Sequence, residues 1–250
     1  MVAHSNSEIN GFSNLSISRK KTSLNSFIAS WSGGKDSCFA FMKAKQLGLT
    51  PLVILNMMNE NGMISRSHAI PKSILHKQAD ALGLPIITRP ASWSDYEVIF
   101  IETLKNIRDT YQIDSAVFGD IDLQAHRDWE EKVCSAVGLQ AILPLWQNDR
   151  KQLVLQMIQS GIEAYIVSCN ERMGEVYLGK RITAELIGQL EEIGVDPCGE
   201  NGEYHTLVVN APVFHRRLDV SFGRTTNHNN YWFIEMNSAT DDLTRETHGK

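Results

Sequence analysis

The stretch SWSGGKDSCFAF, residues 30–41, sets small, cationic, acidic and hydroxyl side chains between an apolar run and a helical pattern. Gly33 and Gly34 allow the backbone to turn sharply and to approach a bound anion closely. Backbone amides at the start of a helix favour negative charge, and Lys35 adds a cation. The residues that could contact phosphate are Ser30, Ser32, Gly33, Gly34, Lys35, Asp36 and Ser37. The stretch therefore predicts a phosphate-binding loop.

Spacing excludes two common loops of this kind. The nucleoside-triphosphatase loop G-x-x-x-x-G-K-[ST] requires glycine where Ala29 stands, and Asp36 replaces its magnesium-binding Ser/Thr. The dinucleotide fingerprint G-x-G-x-x-G is absent. A glycine-rich turn without a ligand is the alternative, but S-G-G-K-D-S is more specific than turn chemistry requires.

A second group of polar residues lies in CGENGEYHT, residues 198–206. Glu200, Glu203 and His205 fall within six positions, beside two glycines. If residues 204–207 are extended, Glu203 and His205 face the same side and could act together as acid/base or ligand groups. The alternative is a solvated turn followed by a strand.

A third group follows the apolar run SAVFGD, residues 115–120. Gly119 and Asp120 end this predicted strand, where Asp120 is placed to bind magnesium or substrate. Arg127, on the next predicted helix, could contact a phosphate. Because Arg127 and Glu131 are four positions apart, an ion pair on the helix surface is the alternative.

Alternating strand and helix patterns surround these groups. Strands are predicted at residues 27–32, 51–57, 85–91, 115–120, 139–145 and 163–169, and helices at 36–47, 71–82, 94–111, 123–137 and 150–159. Ser94 is a candidate cap for the third helix, with Glu97 completing a capping box. The alternation predicts a doubly wound parallel five-stranded sheet with helices on both faces. Such sheets bind phosphates at the carboxyl ends of their strands, where residues 30–37 lie.

The chain divides into four predicted regions. Residues 26–169 form the α/β domain, and residues 170–236 a smaller C-terminal α+β domain with one helix and two or three extended runs. Residues 1–25 and 237–250 are expected to be tails.

Composition sets further bounds. The 250 residues are 42% hydrophobic and 21% charged, as in ordinary globular proteins. The net charge of −5 argues against a large nucleic-acid surface, and no apolar run approaches the roughly 18 residues of a membrane span. The four cysteines form no C-x-x-C pair, which favours free thiols and a cytoplasmic location.

The loop resembles the S-G-G-x-D-S loop of the ATP pyrophosphatases, or PP-loop enzymes. Together with GDIDLQAHRDWEEKVCSAVGLQAILPLW, residues 119–146, and DPCGENGEYHTLVVNAPVF, residues 196–214, it resembles the diphthine–ammonia ligase family and its bacterial relatives. The resemblance covers about residues 26–235. It implies the adenine nucleotide alpha hydrolase-like (HUP) fold and an AMP-producing, carbon–nitrogen bond-forming ligase. ATP would adenylate the carboxylate of diphthine, a modified histidine on a translation factor, and ammonia would displace AMP.

The resemblance also implies roles for residues and cofactors. ATP and Mg²⁺ are the expected cofactors, with Asp36 helping to bind Mg²⁺. Expected catalytic residues are Lys35, Asp36, Glu203 and His205. Expected ATP contacts are Ser30, Ser32, Gly33, Gly34, Lys35, Asp36, Ser37, Met57, His68, Gly119 and Arg127. Expected substrate contacts are Asp120, Glu200, Glu203 and His205.

The segment ENGEYHT departs from the archaeal and eukaryotic pattern, because Asn201 replaces a glycine and His205 stands where an acidic residue is common. These features resemble the bacterial members, which leaves the acceptor open. The alternatives are a PP-loop enzyme that acts on another acceptor, either a small molecule or RNA, and a nucleotide sensor without turnover. A homo-oligomer also stays open.

Overall fold

The computed structural model describes residues 25–238 and contains two β-sheets. The first sheet is parallel, with the order β3-β2-β1-β4-β5. Its strands are β1 Ser26–Ser30, β2 Thr50–Met58, β3 Ile86–Pro90, β4 Ser115–Val117 and β5 Gln140–Ile142. The predicted doubly wound five-stranded sheet is confirmed. The predicted tails fall mostly on residues 1–24 and 239–250, which lie outside the described residues.

Helices connect these strands on both faces of the sheet. They are α1 Lys35–Gln46, α2 Lys72–Leu82, α3 Tyr96–Tyr111 and α4 Gln124–Ala136, and a fifth helix, α5 Arg150–Gln159, leads from β5 to the second sheet. The predicted cap of α3 is wrong. Asp95 occupies the N-cap position without a capping hydrogen bond, and Glu97 accepts bonds from Trp129 and Lys132 instead of completing a capping box. Tertiary partners on α4 here outcompete the local motif.

Alternation along β1 explains why both faces are covered. Phe27 and Ala29 belong to the hydrophobic cluster that includes residues of α1 and α2, whereas Ile28 belongs to the cluster that includes residues of α3 and α4. Successive side chains of a strand point to opposite faces, so an apolar run buries both faces of the sheet. Both faces of β1 are therefore covered, and the polar groups gather at the strand ends.

The second sheet is antiparallel, with the order β7-β6-β9-β8. Its strands are β6 Glu163–Asn170, β7 Tyr204–Asn210, β8 Val220–His228 and β9 Tyr231–Ser238. A short 3-10 helix at Glu175–Tyr177 and α6 at Ala184–Glu192 lie between β6 and β7. This part has the predicted α+β character.

Two boundaries of the predicted regions differ from this topology. The strand predicted at residues 163–169 is β6, which pairs with β7 and β9 and not with the parallel sheet. Residues 237–238 belong to β9 and not to a tail. An apolar run shows that a strand is buried but does not show which strands it pairs with. We therefore propose that the two domains divide between β5 and β6.

The edge strand β7 packs directly against the loop that follows β1. Val208 N donates to Gly33 O at 2.9 Å, and Lys35 N donates to Thr206 Oγ1 at 3.0 Å. The buried Gln78 amide on α2 donates to both Gly33 O, at 3.0 Å, and Val208 O, at 2.7 Å. These bonds fix the loop between the two sheets. No helix among residues 25–238 is long and apolar enough to cross a membrane.

Candidate functional site

A polar cleft of about 470 Å³ opens at the carboxyl ends of the parallel strands. Four chain segments line it: the end of β1 with the loop after it, the loop between β2 and α2, the start of α4 with the turn before it, and the segment that leads into β7. The lining residues are Ser30, Ser32, Asp36, Ser37, Ser67, His68, Gly119, Asp120, Leu123, His126, Cys198, Gly199, Glu200, Gly202, Tyr204 and His205. The structure thus brings together residues that lie far apart in the sequence.

Two glycines allow close approach of chain segments at the start of α1. A Cβ on Gly34 would lie 2.3 Å from His68 Cε1, and a Cβ on Gly119 would lie 2.9 Å from the backbone of Asp36 and Ser37. Gly119 therefore serves packing of the β4 end against α1, in addition to lining the cleft.

Lys35 is buried with its ammonium group already paired. Its Nζ donates to Asp36 Oδ2 at 2.9 Å and to Cys198 O at 2.5 Å, and it lies 5.1 Å from the centre of the Tyr204 ring. Burial disfavours the charge, but Asp36 and Tyr204 hold the pKa of Lys35 above its usual range. Lys35 thus joins the phosphate loop to the segment before β7, and it is not among the residues that line the cleft.

Asp36 combines exposure to the cleft with an unused oxygen. Its Oδ2 accepts from Lys35, whereas its buried Oδ1 has no hydrogen-bond partner among the described residues. Mg²⁺ commonly binds through one or two carboxylates together with phosphate oxygens and water. Among residues 25–238 no group of three or more His, Cys, Asp or Glu forms a metal cluster. A single carboxylate at the phosphate loop fits that mode of Mg²⁺ binding.

Asp120 forms a network with two residues of α4 at the far wall of the cleft. Asp120 Oδ1 lies 2.7 Å from His126 Nδ1, and this bond raises the pKa of His126. Burial raises the pKa of Asp120, but hydrogen bonds from His126 and Glu130 outweigh it and lower the pKa overall. Burial, aided by the Asp120 contact, raises the pKa of Glu130 to about 11. Neither His126 nor Glu130 is among the expected site residues. Their spacing of four positions on one helix, which places them on the same face after Asp120, is the sequence pattern that could have indicated them.

Glu200, Glu203 and His205 do not share one environment in the structure. Glu200 lines the cleft, and burial together with the Asp36 charge raises its pKa to about 8. Glu203 is buried outside the cleft, where it accepts bonds from the backbone amides of Asp196, at 3.3 Å, and Asn201, at 3.0 Å. Glu203 therefore braces the turn, and the structure does not bring it together with His205.

His205 lines the cleft beside His68. The two ring centres are 4.7 Å apart, and His68 Nδ1 lies 2.8 Å from Thr206 O. Burial, aided by His68, lowers the pKa of His205 to about 3, and burial lowers the pKa of His68 as well. Both rings are therefore neutral at physiological pH.

Five expected ATP contacts are not among the lining residues of the cleft: Gly33, Gly34 and Lys35 of the loop after β1, and Met57 and Arg127. Arg127 Nε donates to Glu131 Oε1 at 2.7 Å, and its guanidinium lies 5.0 Å from the centre of the Trp146 ring. The helix-surface ion pair is therefore what the structure shows at Arg127. Met57 lines a separate cavity of about 80 Å³, which adjoins the cleft.

An aromatic cavity of about 570 Å³ lies on the other side of Asp120. Its aromatic lining residues are Trp93, Tyr96, Phe100, Phe118 and Trp129. It shares Ser30, Ser67, Asp120 and His126 with the cleft. Sequence reasoning missed this cavity, because its residues occur as ordinary apolar positions of α3, α4 and the adjoining loops.

Family models match most of the chain. A model described as the diphthamide synthase N-terminal domain matches residues 25–141, and one described as the diphthamide synthase C-terminal domain matches residues 149–241. The gap between the two models, residues 142–148, begins at the last residue of β5 and ends before α5.

Relatives named diphthine–ammonia ligase are similar over most of this chain. The Danio rerio protein is 27% identical, over 82% of this chain and 90% of the relative. The Homo sapiens protein is 26% identical, over 79% and 83%. The Schizosaccharomyces pombe protein is 30% identical over 75% of this chain, which spans 34% of that longer relative. A solved structure from Methanocaldococcus jannaschii, described as a predicted subunit of tRNA methyltransferase, aligns with a TM-score of 0.41 at 16% identity, over 77% of this chain and 99% of that chain.

Proposed function

The chain belongs to the diphthamide synthase family, whose relatives above are named as ligases, and we propose that it is an ATP-dependent amide ligase. In this proposal ATP adenylates a carboxylate, and ammonia displaces AMP to form an amide. The acceptor we propose is a carboxylate on a modified histidine of a translation factor. The cytoplasm as location and self-association stay predictions.

The free carboxylate oxygen of Asp36 at the phosphate loop is the observation that carries this proposal. Asp36 lines the cleft, and its Oδ1 is buried and has no hydrogen-bond partner among the described residues. A buried polar atom without a partner is rare in native proteins, and a bound ion is one of the ways in which it is satisfied. Asp36 would hold Mg²⁺, which would neutralise charge on the phosphates.

In the first step we propose that the β- and γ-phosphates lie on the loop of residues 32–37. An oxygen of the acceptor carboxylate attacks the α-phosphorus, the bond between that phosphorus and the bridging oxygen breaks, and pyrophosphate leaves. Amides fixed at the start of α1 stabilise the departing negative charge. Lys35 helps to hold Asp36 in position for this step, because its Nζ donates both to Asp36 Oδ2 and to Cys198 O.

In the second step the ammonia nitrogen attacks the acyl carbon, the bond to AMP breaks, and the nitrogen loses one proton. His205 is neutral, so it can exchange hydrogen bonds with ammonia without repelling it. Asp120 and Glu200 border the same cleft and are the proposed contacts to the acceptor. His68, at the wall shared with the smaller cavity, is the proposed contact to the adenosine.

The test incubates the protein with ATP, Mg²⁺, ammonium and elongation factor 2 that carries diphthine. We expect pyrophosphate, AMP and a mass change of the factor that corresponds to amide formation. Asp36→Asn should abolish pyrophosphate release while the circular dichroism spectrum stays unchanged. Asp128→Asn is the matched control, since Asp128 lies exposed on α4 and accepts a bond from Gln124. ADP as the product, or full activity of Asp36→Asn, contradicts the proposal.

A further inference from the structure

His126 and Asp120 pair an imidazole with a carboxylate at the far wall of the cleft. His126 lies in the first turn of α4, and Asp120 lies in the turn between β4 and α4. His126 Nδ1 lies 2.7 Å from Asp120 Oδ1. Both residues line the cleft, and both also line the aromatic cavity. The pair therefore borders the space in which the second step of the proposed reaction takes place.

The bond to Asp120 fixes which nitrogen of this imidazole is free. Burial raises the pKa of Asp120, but hydrogen bonds from His126 and Glu130 lower it overall, so the carboxyl group is ionised at neutral pH and can only accept. In the neutral ring Nδ1 therefore carries the hydrogen, and the lone pair lies on Nε2. Nε2 has no hydrogen-bond partner among residues 25–238, and the His126 side chain is 58% exposed. Nε2 is thus free to take a proton from a molecule in the cleft.

The Asp120 carboxylate also stabilises the protonated form of the ring. Its hydrogen bond raises the pKa of His126, although burial of the ring opposes this, and the nearby charge of Glu200 acts in the same direction as Asp120. Glu130 is protonated, because burial raises its pKa to about 11, and it donates to Asp120 from the next turn of α4. A carboxylate held beside one ring nitrogen favours the positive charge that the ring gains at the other.

The other bases that line the cleft are less suited to accept a proton. Burial lowers the pKa of His68, and it lowers the pKa of His205 to about 3, so neither ring holds a proton at neutral pH. Burial raises the pKa of Glu200 to about 8, but no hydrogen bond orients this side chain among the described residues. Glu200 is therefore the competing base.

We propose that His126 is a catalytic base, which takes the proton that the ammonia nitrogen loses in the second step, and that Asp120 positions its ring. This role rests on the proposed function, which leaves the acceptor of that proton unassigned. As the bond between the nitrogen and the acyl carbon forms, one nitrogen–hydrogen bond breaks and its proton moves to His126 Nε2. The electron pair of the broken carbon–oxygen bond leaves with AMP, and the imidazolium then returns its proton to water.

The test separates the two steps in His126→Gln, whose amide can still bond to Asp120 but cannot take a proton. The full chain is incubated with ATP, Mg²⁺ and elongation factor 2 that carries diphthine. Pyrophosphate release without ammonium reports the first step and should be unchanged. Amide formation with ammonium should slow at least about 100-fold, since a general base contributes about 10²–10⁴ to the rate.

Hydroxylamine then replaces ammonium as the nucleophile. Its nitrogen is less basic than that of ammonia, so the proton that it loses on attack passes readily to water and needs no protein base. Hydroxamate formation should therefore be equally fast in His126→Gln and the wild type. Glu200→Gln is measured in parallel. His76→Gln is the matched control, since His76 is exposed on α2 and lines none of the three cavities.

Each outcome decides the assignment. A loss of amide formation in His126→Gln, with pyrophosphate release and hydroxamate formation retained, supports it. Unchanged amide formation overturns it, as does a loss of pyrophosphate release or an equal loss with both nucleophiles, because a structural role explains those results. A loss confined to ammonium in Glu200→Gln, and absent in His126→Gln, assigns the base to Glu200. If the wild type releases no pyrophosphate or forms no amide, the proposed function itself fails, and the role of His126 fails with it.

Discussion

Replacement of Gly34 by alanine probes how tightly the phosphate loop is packed. Gly34 has φ −93° and ψ 177°, which any residue adopts, so backbone strain is not the reason for glycine here. The reason is space, because the new Cβ would lie 2.3 Å from His68 Cε1, 2.9 Å from His68 Nδ1 and 3.1 Å from Thr206 O. One methyl group therefore meets both an imidazole and a strand carbonyl.

The size of the clash sets the expected effect. Ordinary contact begins at 3.4 Å, so the imidazole has to move by about 1 Å. The bond between His68 Nδ1 and Thr206 O, 2.8 Å long, resists that movement. We expect a loss of about 1–3 kcal/mol in the free energy of unfolding from overpacking. A displacement of about 1 Å at the loop should also slow pyrophosphate release about 100-fold.

Urea unfolding of four variants tests this explanation. Gly34→Ala is measured alone and together with His68→Ala, which removes the ring that the methyl group meets. The cost of Gly34→Ala should fall by at least about 1 kcal/mol in the His68→Ala background. Gly188→Ala is the matched control, because no atom of residues 25–238 lies within 4 Å of its Cβ position on α6, and it should stabilise the protein by about 0.5–1 kcal/mol.

An equal cost of Gly34→Ala in both backgrounds would refute the steric account. Such a result would place the strain at the Thr206 carbonyl, or in the loop itself. Unchanged stability of the single variant would contradict the packing of the loop against His68 altogether.

Three further predictions follow from buried polar groups. Gln78→Leu leaves the Trp31 indole N–H unpaired and should cost about 2–4 kcal/mol in urea unfolding; a loss below about 1 kcal/mol would contradict the role of this amide. Glu130 has its pKa raised from 4.5 to about 11, so unfolding releases its proton and stability falls as pH rises above 4.5. Glu130→Gln should therefore gain about 1 kcal/mol per pH unit over the wild type between pH 5 and 8, and parallel pH profiles would refute this. Burial lowers the pKa of His205 from 6.5 to about 3, so unfolding takes up a proton below pH 6.5 and the free energy of unfolding should fall by about 1 kcal/mol per pH unit there. Thermal unfolding at pH 7 and pH 5 measures this fall, which should be smaller in His205→Asn than in the wild type.

Local patterns predicted most of the helices and strands that precede β6. The helix at 150–159 is observed as Arg150–Gln159, and the Asp149 side chain caps it by accepting from Gln152 N at 2.9 Å. The loop after β1 was predicted at its observed place, because glycine spacing and the start of a helix are properties of neighbouring residues. A helix, strand or loop can be predicted from the sequence where the residues that determine it are close neighbours along the chain.

Long-range pairing was predicted less well. The apolar run at 163–169 has the composition of a buried strand, yet its partners β7 and β9 come later in the chain. Glu203 is two positions from His205, as expected for one face of a strand, but it precedes β7 and turns to the Asn201 backbone. Partner choice depends on residues that periodicity does not connect.

By itself, the sequence determined the parallel sheet, the position of the glycine-rich loop after its first strand and the family. Apolar periodicity and glycine spacing are properties of neighbouring residues, so they can be recognised from the sequence alone. Only the tertiary structure decided which polar groups share the cleft: it brought in His126, paired Arg127 with Glu131 and buried Lys35 against the Cys198 carbonyl. These outcomes depend on which donors and acceptors meet after the two sheets pack, and folding fixes that only when the whole chain is in place.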